Sequence, residues 1–143
     1  MPFEIVRTHP IAEIVLSGVF TNADLAALVR ATESVDGTGP EVPHRMTDMR
    51  PITRLEIDFG GVLSFANDRL RRRFPNSFKS AVIAFDLAHF GFARMFQTLN
   101  DHPQITIAIF GDEVTARAWL ESPGLAPPEV AWAPARAERS GIA

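Results

Sequence analysis

The sequence predicts an α/β fold: a small mixed β-sheet of about five strands, in the order β-β-α-β-α-β-α-β-α. Three features carry that expectation. Two β-branched, apolar segments, Phe3 to Arg7 and Ile11 to Leu16, flank Thr8-His9-Pro10 and read as a hairpin. A continuous apolar run, Ala81-Val82-Ile83-Ala84-Phe85, has strand length and suits a mid-sheet strand covered on both faces. Strand and helix patterns then alternate, which implies a largely parallel sheet after an antiparallel start.

Taken in order, Gly18 ends the second strand, and Thr21-Asn22-Ala23-Asp24 offers an N-cap hydroxyl with an acid three residues on. The helix that follows carries Leu25, Leu28, Val29 and Thr32 at 3.6-residue spacing. Gly37-Thr38-Gly39-Pro40 is loop chemistry, and His44 to Met49 reads as a short strand ending before Arg50-Pro51. Ile52 to Phe59 alternates weakly and reads as an edge strand or an extended loop leading to Gly60-Gly61. A helix is expected from Ser64, with Val62 or Leu63, Ala66, Leu70 and Phe74 on its core stripe and Pro75 closing it. Asp86 caps a helix over Leu87 to Asn100, and Ile105 to Phe110 is the last strand. Gly111-Asp112 turns into a final helix through Leu120. Residues 1–122 thus form one domain, and 123–143 read as a Pro/Ala-rich tail that only Val130 and Trp132 look able to dock.

The length of 143 residues suits one domain, and 46% apolar content can fill its core. Cysteine is absent, which excludes a thiol nucleophile, a disulfide framework and thiolate metal sites. A net charge of -3 is too near balance for a dedicated nucleic-acid binder. The start, Met1-Pro2-Phe3-Glu4, has no basic region followed by an apolar one, and no 18-residue apolar run occurs anywhere. A cytoplasmic protein without a membrane span is expected.

The element order, with Phe90-Gly91-Phe92-Ala93-Arg94-Met95-Phe96 and Ala116-Arg117-Ala118-Trp119-Leu120, resembles the SpoIIAA-like proteins of the STAS superfamily, the anti-sigma-factor antagonist fold. The resemblance covers about residues 3 to 120 and rests mostly on packing motifs. It implies helices mainly on one face of the sheet, and a protein-interaction switch or a carrier of hydrophobic or nucleotide ligands. In the switch members a serine near the N-terminus of the second helix accepts phosphate. The corresponding segment here is Asp58-Phe59-Gly60-Gly61, without a hydroxyl. The usual phosphorylatable switch is therefore not expected. Ser64 is the nearby candidate for a regulatory phosphosite, with an N-cap role as its competing reading.

Catalytic constellations are sparse. The four histidines, His9, His44, His89 and His102, make no zinc spacing on a helix, so neither metal nor cofactor is expected. No Gly-x-Ser-x-Gly occurs, and Gly60-Gly61 lacks a phosphate-cradling pattern. His44 and Asp48, an even spacing on a strand, would serve an enzyme only if they converged in a pocket.

Two clusters remain. Arg69, Arg71, Arg72 and Arg73, with Arg54 and Lys79 nearby, read as a solvated face or as an anion or acidic-partner patch, with Arg69 and Arg72 on the outer side. In the third helix Ala88, Phe92, Met95, Phe96 and Leu99 form the expected core stripe, which leaves Phe90 on the far side with Arg94. An outward Phe90 means a subunit interface, a ligand-groove wall or a helix turned from that phase. The expected function is a non-catalytic regulatory or protein-interaction domain, self-associating as a homodimer. The alternative is a carrier of a small hydrophobic or amphipathic, lipid-like ligand, with Phe59, Phe90 and Phe92 as walls and Arg94 or Arg73 holding an acidic head.

Overall fold

A computed structural model describes residues 2–8, 10–37 and 39–128. Phe3–Thr8 (β1) and Ile11–Leu16 (β2) pair antiparallel, as their patterns demand, with Phe3 opposite Leu16. His44–Asp48 (β4), Phe78–Ile83 (β6) and Ile105–Phe110 (β7) then add in parallel, giving one sheet in the order β1-β2-β4-β6-β7. These five are the strands expected from the sequence. Every residue of β6 is buried, because β4 and β7 flank it and helices cover both its faces.

Two further strands depart from expectation. Gly18 does not end β2; it opens a separate strand, Gly18–Thr21 (β3), with φ of 66°, a left-handed value open to glycine at little cost. Ile52–Glu56 (β5) is a strand, yet it pairs with β3 in a small parallel sheet of its own. This second sheet carries the chain from the main sheet into its helices.

The four helices are Asn22–Asp36 (α1), Phe59–Leu70 (α2), Leu87–Leu99 (α3) and Glu113–Glu121 (α4). Thr21 caps α1 in a reciprocal capping box with Asp24, and Asp86 and Asp112 cap α3 and α4 through the backbone N–H groups of His89 and Thr115. The start of α2 is corrected. Asp58 is its cap, accepting from Gly61 N at 2.8 Å, so the helix begins before Ser64 and ends before Phe74.

That earlier start fixes the phase. The inward residues of α2 are Val62, Phe65, Ala66 and Arg69, whereas Leu70 faces outward. The phase of α3 is turned as well: His89 and Ala93 are its buried residues, and Ala88 is exposed.

Side chains alternate across each strand, so the sheet has two faces. On one, Ile14, Leu16, Val82 and Ile109 pack with Leu25 and Leu28 of α1, Phe65 of α2 and Ala93 of α3. On the other, Met46, Ala81, Ile83, Ala108 and Phe110 pack with Ala116, Trp119 and Leu120 of α4. Three helices thus lie on one face and one on the other. Beyond α4 the chain folds back, and Trp119 Nε1 donates to the Ala126 carbonyl at 2.9 Å. Among the described residues no helix is long and apolar enough to cross a membrane. The expected docking residues Val130 and Trp132, and the hairpin residue His9, lie outside the described residues.

Candidate functional site

Strands β4, β6 and β7 run parallel, so their C-terminal ends share one edge of the sheet, and the N-termini of α3 and α4 follow there directly. After β4 the chain passes through β5 and enters α2 at Asp58. All three of these helices begin with an aspartate cap, and a large apolar side chain stands within two residues of each cap: Phe59, Leu87 and Val114. They are 57%, 71% and 79% exposed, far more than a core residue. Phe85, immediately before the Asp86 cap, is also exposed. Exposed apolar side chains therefore stand at the start of each of these three helices.

The second place lies inside. Asp36 ends α1 on the same stripe as Leu25, Leu28 and Thr32, where an acid is disfavoured by the helix dipole. Arg45 of β4 lies opposite, and its Nη2 donates to both Asp36 oxygens. Arg72 Nη2 adds a contact to Asp36 Oδ2 at 3.1 Å. Arg69 completes the group over the Phe65 ring, 5.3 Å from its centroid. Three guanidiniums therefore face one carboxylate.

Arg69 is 6% exposed, and its Nε has no hydrogen-bond partner among the described residues; neither has Nη1 of Arg72. Burial pulls Arg69 well below the ordinary arginine range, and the Arg45 charge adds to this. Burial likewise lowers Arg45, against the pull of Asp36.

Arg45 and Arg69 both line a cavity of about 60 Å³ between the sheet and the three helices of that face. Its polar end also holds Thr32, Thr47 and Ser80. The rest is apolar, with Leu16, Leu28, Phe65, Phe92 and Phe96 among its walls.

The arginine group read from the sequence is thus divided. Arg69 and Arg72 turn inward, not outward as expected, because α2 starts early and ends at Leu70. Arg71 and Arg73 stay at the surface, where Arg71 pairs with Asp68 at 2.6 Å and Arg73 Nη1 donates to the Arg72 carbonyl at 3.4 Å. Arg54 pairs with Glu56, also at the surface. Lys79, grouped with that face, lies in the opposite core.

Phe90 is corrected too. It is half-buried and packed against the main core, so of its three readings the turned helix phase applies. Arg94 is exposed and donates to Gln97 Oε1 at 2.7 Å. Of the residues proposed for a ligand groove, Phe92 alone reaches the cavity; Phe59 stands on the exposed edge. Ser64 is exposed in the second turn of α2, so the N-cap reading does not hold.

His44 and His102 are separately engaged, whereas the buried Nδ1 of His89 has no hydrogen-bond partner among the described residues. His44 Nδ1 accepts from Lys79 N at 2.9 Å, and burial, then the Lys79 charge, lowers its pKa. Asp48, on the same face of β4, binds Arg50 instead, at 2.8 Å. His102 bridges the Arg72 carbonyl at 2.8 Å and Gln104 N at 3.0 Å. Among the described residues no three His, Asp or Glu side chains gather as a metal site requires.

Sequence reasoning missed Arg45, Asp36 and the inward Arg69. A signal was present for Asp36, which continues the 25, 28, 32 stripe, and for Arg69, which continues 62 and 65 once the helix starts at Phe59.

No protein-family model matches this chain, and no curated protein matches it. Among solved structures, an uncharacterised protein of the DUF3478 family with a SpoIIAA-like fold, from Shewanella loihica PV-4, is similar at a TM-score of 0.54 and 16% identity, covering 82% of this chain and 91% of that one. The likeness shows the fold: this chain has a SpoIIAA-like fold.

Proposed function

Starting from the SpoIIAA-like fold, we propose that the chain is a non-catalytic, cytoplasmic interaction domain that docks a protein partner, in the first instance a second copy of itself, on the edge formed by the starts of α2, α3 and α4. One observation carries this reading: Phe59, Leu87 and Val114 stand exposed beside aspartate caps on helices that begin at that edge. Burying each such side chain contributes about 1.5–3 kcal/mol, and the aromatic Phe59 is the member of the set suited to anchor an interface. The caps place carboxylates beside the apolar groups, so a partner face carrying arginine or backbone N–H donors would match them.

The position of the edge agrees with this role. The segment Asp58 to Gly61 forms the N-terminus of the second helix, where the resemblance puts the phosphorylated serine of the switch members. Here Phe59 occupies the first helical position, so contact at this site would be apolar and constitutive.

Light scattering of the full chain tests the proposal. A mass of two chains that falls to one in the double variant Phe59→Asp/Leu87→Asp, with circular dichroism unchanged, is the expected result. A monomer at every concentration, or a dimer indifferent to both substitutions, overturns self-association on this edge.

A further inference from the structure

We infer that the cavity beneath α1, α2 and α3 is a binding site for a short-chain monocarboxylate, its oxygens received by Arg69 beside Arg45 and its hydrocarbon body lying among Leu28, Phe65, Phe92 and Phe96. This is independent of the exposed edge, which lies outside the core.

The charge balance is the first argument. Arg45, Arg69 and Arg72 share the carboxylate of Asp36, which accepts hydrogen bonds from Arg45 and Arg72. Arg69, more than nine-tenths buried, has a ring below it and an unpartnered Nε. A buried cation without a hydrogen-bonding anion is strongly disfavoured, and the guanidinium fork matches the two oxygens of a carboxylate. A second carboxylate at Arg69 would give that guanidinium an anion of its own and halve the group's excess of positive charge.

The walls define the rest of the ligand. Beyond Thr32, Thr47 and Ser80 the lining is apolar, which suits a hydrocarbon and offers little to the remaining oxygens of a phosphate. A neutral apolar molecule would leave the guanidinium unsatisfied. Size sets the limit: one water occupies about 10–15 Å³ on this measure, so 60 Å³ admits about four to six water-sized bodies, which is a carboxylate with a tail of about three carbons.

The experiment is calorimetry and thermal unfolding of the full chain with sodium butanoate, against 1-butanol and inorganic phosphate at equal concentration. Butanoate is expected to bind saturably and raise the melting temperature, while the alcohol and phosphate do neither. Arg69→Met, which keeps the stem and removes the charge, should weaken butanoate binding by roughly thirtyfold or more. No saturable butanoate binding, an equal response to phosphate or to butanol, or unchanged affinity in Arg69→Met overturns the inference. Should that variant fail to fold, nuclear Overhauser contacts between butanoate methylenes and the Phe65 and Phe96 rings of the unaltered protein decide it, and their absence at saturation counts against the site.

Discussion

Nζ of Lys79, on the central strand β6, lies 2.7 Å from the carbonyl oxygen of Trp119 in the last turn of α4. It also donates to the Ser122 carbonyl at 2.8 Å and stands 5.1 Å from the Trp119 ring centroid. A cation here satisfies carbonyls that the helix end leaves open and meets the negative end of its dipole. Lys79 is fully buried, and it is the only lysine in a chain without tyrosine or cysteine.

That composition makes its titration readable. Burial lowers the Lys79 pKa from its ordinary 10.5. In the window between the lowered value and 10.5 the unfolded chain binds more protons than the folded one, so stability rises with pH there and levels off above it. Urea midpoints measured from about pH 8 to about pH 11 should climb in the natural protein and climb less in Lys79→Met, where the lowered buried arginines alone remain. Equal climbs in both would show that burial does not depress this amine. Acylating reagents should likewise leave Lys79 untouched in native protein and modify it in urea, as peptide mapping reads directly.

The buried arginine group predicts unequal effects for two neutralising substitutions. Asp36→Asn removes the carboxylate that Arg45 and Arg72 share and should cost about 3–5 kcal/mol by urea unfolding. Arg69→Met removes a charge without a hydrogen-bonding anion, and without added ligand should leave stability unchanged or raise it by about 1 kcal/mol. Equal losses in the two variants would contradict this account of the cluster.

Acid should weaken the fold through His44. Burial, with the Lys79 charge behind it, holds the imidazole below its ordinary 6.5, and the neutral ring accepts the Lys79 N–H. As pH falls below 6.5 the unfolded chain takes up a proton before the folded one, so this contribution is present above 6.5 and is lost on acidification. Asn at this position keeps an acceptor near Nδ1 and cannot titrate. Thermal unfolding of His44→Asn between about pH 7 and pH 5 should show a smaller fall than the natural protein.

Where α1 and α2 start, Gly61 permits a close approach. A Cβ there would stand 2.0 Å from Asn22 Oδ1 and 2.6 Å from its Cγ. The obstacle is the end of an exposed side chain that can turn aside at the loss of its 3.4 Å hydrogen bond from Asp58 N, so Gly61→Ala alone should stabilise by less than the roughly 0.5–1 kcal/mol by which a helix ordinarily prefers alanine. In an Asn22→Gly background, which clears that space, the same substitution should stabilise by the full amount, read from urea unfolding. Equal gains in both backgrounds would exclude this contact as the cause.

Much of the fold was legible because it follows from local pattern. Ile11 to Leu16, Ala81 to Phe85 and Ile105 to Phe110 announce strands by their own composition, and Thr21, Asp86 and Asp112 announce helix starts by their own side chains. The exposed edge at Phe59 was partly legible: Phe59 stood out as a site residue, while Leu87 and Val114 passed as ordinary helix residues. The buried site was less so. Its members come from α1, α2, β4 and the turn after α2, and only Arg69 and Arg72 were singled out, on the opposite face.

By itself the sequence determined the five strands of the main sheet, their parallel addition after an antiparallel start and the existence of four helices, since hydrophobic period and capping chemistry act within a few residues. The tertiary structure alone decided which way α2 and α3 face, that β3 and β5 leave the main sheet, and that Asp36, Arg45, Arg69 and Lys79 go inside. A charged side chain reads as surface until a partner is known, and here each partner comes from another element: Asp36 meets Arg45 and Arg72, and Lys79 meets the end of α4.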